Sequence, residues 1–158
     1  MKNMGKTIVI GLGNPLKTDD GFGLHVARTL GKALAGRSDV DVTEAFCGGI
    51  ALVETMCGYD EAIVVDAMPK KAGTTGTILT FAPCAETATR NSGSLHDAPL
   101  CDALAACSSL GEAVPPKVIC WGVVPKDIES FGEALTDEIA AVVAVVAGQI
   151  MDHLNAQS

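Results

Sequence analysis

The chain has 158 residues, of which 48% are apolar and 19% charged, and a formal net charge of −8 at pH 7. That is the size of one domain with a single core, so residues 1–158 are read as one domain. The acidic balance, with no basic cluster larger than Lys70-Lys71, argues against a nucleic-acid partner, and no apolar run reaches the 18 residues of a transmembrane helix.

The start, Met1 to Lys6, lacks the apolar block and small-residue cleavage site of a signal peptide. The expectation is a cytoplasmic protein with no membrane partner. Thr7 to Leu12 is a near-continuous apolar run, as expected of a strand covered on both faces. It breaks into Gly13-Asn14-Pro15, and Asp19-Asp20-Gly21-Phe22-Gly23 follows. Phe22, Val26, Leu30 and Ala33 then recur on one face of a first helix that should stop near Gly36. A weaker strand is expected over Val40 to Ala45. A short helix around Ile50, Val53 and Cys57 should end at Gly58. Ala62 to Val65 is the second strong apolar run, and Thr77 to Phe81 a weaker, hairpin-like strand. Leu100, Leu104 and Cys107 mark a third helix, Val118 to Val124 the last strand, and Ile139 to Ile150 a long final helix. This alternation predicts an α/β fold, a three-layer α/β/α sandwich whose five-stranded sheet is mostly parallel with one antiparallel strand.

In such a sheet ligands bind outside the carboxyl ends of the strands. Three side chains fall there. Asp20 sits where the glycine-rich turn meets the first helix; Asp19 beside it has the alternative of capping that helix. The flanking glycines would let a partner approach the backbone closely. Asp66 ends the strand Ile63-Val64-Val65, where a carboxylate is costly to desolvate unless paired or coordinated, although an aspartate there can also start a turn. His96 follows a loose, Ala-, Thr- and Ser-rich segment from Ala82 to Ser94 at the head of the third helix. Two carboxylates and an imidazole suit a borderline divalent metal such as nickel, iron or zinc. His25, on the flank of the first helix, and His153, near the end of the last, have bland readings.

Other chemistries find less support. Leu16 stands where a dinucleotide fingerprint needs its third glycine, which leaves Glu44 without a ribose to bind. There is no Gly-x-Ser-x-Gly elbow. The six cysteines, at 47, 57, 84, 101, 107 and 120, form no Cys-x-x-Cys pair, and no disulfide framework is expected. Cys120 reads as a small core hydrophobe. Cys47, ahead of Gly48-Gly49, is the one thiol on the productive rim.

From Thr7 to about Thr136 the ordered series resembles the hydrogenase maturation endopeptidases. Its pieces are Gly11-x-Gly13-Asn14, Asp19-Asp20-Gly21-x-Gly23, Gly48-Gly49, Asp66-Ala67, His96 and Gly122-Val123-Val124-Pro125. The resemblance implies the same sandwich fold and removal of the C-terminal extension of a [NiFe] hydrogenase large-subunit precursor. It further implies that Asp20, Asp66 and His96 recognise nickel carried by that substrate. The family often has a glutamate at the position of Asp20, so reach here is one methylene shorter. With no nucleophile visible, the expected chemistry is aspartic-type, with water attacking the peptide carbonyl and Asp20 or Asp66 as base. Two alternatives stand beside it. Gly-Leu-Gly-Asn-Pro also opens peptidyl-tRNA hydrolases, although Lys17-Thr18-Asp19-Asp20 departs from them. The same trio could also serve a non-catalytic module that docks on a nickel protein.

Overall fold

The computed structural model describes residues 5–84 and 94–157, with side chains from residue 99 onward in the second segment. The strands are β1 (Thr7–Leu12), β2 (Val40–Ala45), β3 (Glu61–Ala67), β4 (Ile78–Phe81) and β5 (Lys117–Val123). The helices are α1 (Phe22–Ala33), α2 (Gly49–Met56), α3 (Ser94–Ser109) and α4 (Asp137–Asn155), with 3-10 turns at Thr18–Gly21 and Lys70–Ala72. One sheet carries all five strands in the order β2-β1-β3-β5-β4, and only the β4–β5 pair is antiparallel.

Side-chain alternation along the central strands builds two apolar layers. Val9, Ile63, Val65, Trp121 and Val123 face one side, against Phe22, Val26 and Leu30 of α1 and Ile139, Val146 and Ile150 of α4. Ile8, Ile10, Ala62, Val64 and Cys120 face the other, against Leu52, Val53 and Met56 of α2 and Leu100, Ala103 and Cys107 of α3. This is the expected three-layer sandwich. The breaks at Gly36 and Gly58 are where the chain turns into positive φ, at 91° and 89°.

Two expectations need correction. β4 is antiparallel but forms no hairpin with β3, the strand before it: β3 is flanked on both sides by β1 and β5, so β4 pairs with the open edge of β5, reached through α3. A disulfide joins Cys84, just after β4, to Cys101 in α3, with Cα atoms 5.5 Å apart. The spacing belongs to no cysteine motif, and the bond follows from α3 packing beside that sheet edge.

At the amino-terminal edge of the sheet, Glu61 is buried at the head of β3. Lys117 Nζ lies 3.0 Å from its carboxylate, His153 Nε2 3.1 Å, and Gln157 Nε2 donates to it at 3.1 Å. His153 therefore fastens the end of α4 to the sheet. Burial alone would raise the Glu61 pKa, but the bonds from Lys117, Gln157 and His153 outweigh it and leave it below the ordinary glutamate value. A depressed folded pKa means this stabilisation is present above the unfolded glutamate pKa and is lost as pH falls through the folded one. Urea unfolding should show E61Q about 2 kcal/mol less stable than wild type at neutral pH, the usual scale for charge-assisted bonds. The gap should shrink in acid; a gap that widened there would contradict the assignment.

Candidate functional site

The chain runs from β1 to β2 on one side and then crosses, through α2, to β3 on the other side of β1. The crevice outside the carboxyl ends of β1 and β3 is thus the topological switch point of the sheet. The turn carrying Asp20 follows β1, and Asp66 lies near the end of β3, so both face this crevice.

The glycines build the crevice by self-contact. A Cβ on Gly23 would run into the carbonyl oxygens of Val65 and Leu12, and one on Gly13 into that of Asp20. The close approach read from the sequence is therefore made by the protein itself: the head of α1 presses on the ends of β1 and β3. Asn14 shapes the turn by accepting from the Leu16 amide at 2.9 Å.

The adjacent aspartates have different surroundings. Asp19 is fully buried and caps no helix of its own; the N-cap of α1 is Gly21, without a side-chain bond. Its Oδ2 accepts from the amides of Lys126 and Asp127, each at 2.9 Å. Its Oδ1 accepts from the Thr136 amide at 2.8 Å and the Thr136 hydroxyl at 3.0 Å. Asp19 thereby ties the segment after β5 and the head of α4 to the first turn. Asp20 is half-buried, and among the described residues no donor reaches its carboxylate.

Asp66 accepts from the Ala67 amide through Oδ1 at 2.8 Å, as in the turn reading, but that bond occupies one oxygen. The carboxyl borders a cavity of about 220 Å³ lined mainly by apolar side chains, among them Leu52, Met68, Phe81 and Leu100, and by Gly48 and Gly49 at the head of α2. Burial and then the charge of Asp20 push its pKa well above the aspartate range, against the opposing pull of the Ala67 amide. Shifts of this origin concentrate at functional sites.

His96 belongs to the first turn of α3, three residues ahead of Pro99 and four ahead of Leu100, both of which line the cavity. Its side chain lies outside the described residues. No group of three or more His, Cys, Asp or Glu side chains placed to hold a metal ion occurs among the described residues. Cys47 is exposed on the same rim, and its neighbours Gly48 and Gly49 form the cavity wall. His25 lies 3.3 Å from the Glu133 carbonyl, and Glu44 is paired with Arg28 at 2.6 Å. No described helix is long and apolar enough to cross a membrane. Sequence reasoning missed the cavity wall and the anchoring role of Asp19. The glycine spacing was the available signal, and its close approach is to the chain's own backbone.

Known proteins resolve the family. A model described as hydrogenase maturation protease matches residues 24–153. The hydrogenase 2 maturation protease of Escherichia coli K12 is 28% identical over 153 residues, covering 94% of this chain and 90% of that protein. The solved E. coli maturating endopeptidase HybD superposes with a TM-score of 0.78 at 26% identity, covering 97% of this chain and 94% of that one. HycI of Thermococcus kodakarensis KOD1, at 22% identity, shares the fold with a TM-score of 0.73, over 98% of this chain and 95% of that one. The peptidyl-tRNA hydrolase and non-catalytic alternatives give way to this match, which runs through the sandwich from α1 to α4: the chain belongs to the hydrogenase maturation protease family and is a hydrolase of the endopeptidase class.

Proposed function

We propose that this endopeptidase removes the C-terminal extension of a nickel-loaded [NiFe] hydrogenase large-subunit precursor in the cytoplasm, and that Asp20, Asp66 and His96 grip the substrate's nickel. The observation that carries this reading is the placement of Asp66, on the wall of an apolar cavity, at the same switch point as the turn that holds Asp20. Burial and the charge of Asp20 raise the proton affinity of Asp66, and a divalent cation held there relieves that repulsion. An imidazole completes a donor set suited to nickel. Nickel arrives with the substrate, so an unloaded precursor leaves the carboxyls unbridged and binds weakly.

Once the metal is held, the scissile carbonyl lies beside a partly desolvated carboxylate. Asp66 or Asp20 accepts the proton of an attacking water, and the same group returns it to the leaving amine. The apolar wall of Leu52, Met68 and Leu100 limits competing water.

The test is mass spectrometry of purified precursor, loaded with nickel or without it, after incubation with wild type and with His96→Ala. Wild type should release the C-terminal peptide from loaded precursor alone, and His96→Ala should release less than a hundredth as much. Equal cleavage of unloaded precursor, or wild-type cleavage by the variant, would overturn the proposal.

A further inference from the structure

Six large apolar side chains are exposed among the described residues, and four of them, Leu16, Phe46, Ile50 and Phe131, sit at the carboxyl edge of the sheet around the crevice. The other two, Leu110 and Val145, lie just past the end of α3 and on α4. An apolar cluster rimming a site marks an interaction surface more strongly than scattered exposure does.

This rim is built in advance. A parallel bridge pairs Lys17 with Gly132 and brings Leu16 opposite Phe131. The Gly132 amide donates to the Leu16 carbonyl at 2.9 Å, the Thr18 amide donates to the Gly132 carbonyl at 2.9 Å, and the Thr18 hydroxyl donates to Ser130 at 2.6 Å. Asp127 receives the Glu129 and Ser130 amides at 2.9 and 3.0 Å, closing the turn that presents Phe131. Phe131 is 86% exposed on this anchored turn, with exposed Glu129 and Glu133 two residues to either side. The Gly13 amide donates to the Ala45 carbonyl at 3.1 Å, joining the first loop to the one that carries Phe46.

We propose that Leu16 and Phe131, extended by Phe46 and Ile50, form the docking surface for the folded body of the precursor, through an apolar patch with basic residues facing Glu129 and Glu133. This rests on the function proposed above and names how that substrate is recognised away from the reacting bond. Continuity selects the occupant: Leu16 is four residues from Asp20, so whatever covers the rim stands over the crevice. A second copy seated there would shut the substrate out, whereas the precursor must come to this edge to be cut. A rigid aromatic anchor with a charged surround is the usual form of an interface hot spot, and its charges steer the partner's approach.

The experiment is steady-state cleavage of nickel-loaded precursor by wild type, Phe131→Ser and Leu110→Ser, with melting curves and sedimentation of each protein. Phe131→Ser should raise KM at least tenfold with kcat within twofold and an unchanged melting temperature. Leu110→Ser, equally exposed but remote, should match wild type. Glu129→Lys with Glu133→Lys should raise KM further at low salt than at high salt. A wild-type KM in Phe131→Ser overturns the proposal, as does a wild-type dimer that Phe131→Ser converts to monomer. If wild type leaves the precursor intact, the function itself has failed, and co-sedimentation then reads docking alone. Binding lost in Phe131→Ser would keep the surface; no binding by wild type would remove it.

Discussion

Replacing Asp66 by asparagine is expected to lower kcat for precursor cleavage by at least about a thousandfold, within the range for a lost general base, while leaving the fold as stable as before or more so. Asparagine keeps the Oδ1 that accepts from Ala67 and nearly the same volume, so the cavity wall is undisturbed. What it removes is a charge that burial and Asp20 both disfavour. The sign follows from that direction. A carboxyl whose folded pKa is raised stabilises the fold below its unfolded pKa, and the benefit is lost as pH rises through the folded value. Asparagine escapes this loss, so the stability of Asp66→Asn relative to wild type should grow as the pH is raised. Activity lost and stability gained by one substitution is the signature of a group placed for function at the expense of folding. Cleavage kinetics and urea unfolding at several pH values read both halves. A variant that unfolds more easily than wild type at neutral pH would make Asp66 a structural residue instead.

The strands were legible because the chemistry of a doubly covered strand is written in consecutive residues: Ile8 to Ile10, Ala62 to Val65 and Cys120 to Val124 are buried whichever face each points to. Helix ends were legible at Gly36 and Gly58, whose positive φ suits glycine. The partner of β4 was not, because pairing at an edge depends on which strands the rest of the chain has already enclosed. The Cys84–Cys101 bond was missed for a similar reason. The glycines of the first turn were read as room for a ligand, yet Gly13 and Gly23 are filled by backbone of the same chain. Position at the carboxyl edge was enough to place the Asp19-Asp20 pair and Asp66 at the same end of the sheet. It could not tell Asp20 from Asp19, since the donors that claim Asp19 are more than a hundred residues away.

Those donors make Asp19→Ala the substitution with the largest expected cost in stability. Four donors converge on one fully buried carboxylate, the amides of Lys126, Asp127 and Thr136 and the Thr136 hydroxyl, which reaches both oxygens. Alanine would leave three amides and a hydroxyl without an acceptor where water does not easily replace it. Stranding buried donors of a charged group costs on the order of 3–5 kcal/mol. Thr136 is the N-cap of α4, and its hydroxyl is spent on Asp19 rather than on the helix, so the head of α4 should loosen with it. Asparagine offers only a partial remedy: either orientation of its amide turns N–H groups toward donors, and a loss of about 2 kcal/mol is expected. The damage should also reach function, because the same segment carries Phe131 and the same turn carries Asp20. Urea unfolding gives the energy, and hydrogen exchange gives its place, with protection falling first at Lys126, Asp127 and Thr136. A loss under 1 kcal/mol in Asp19→Ala, with those amides still protected, would mean that the turn is held by the glycine contacts of α1 alone.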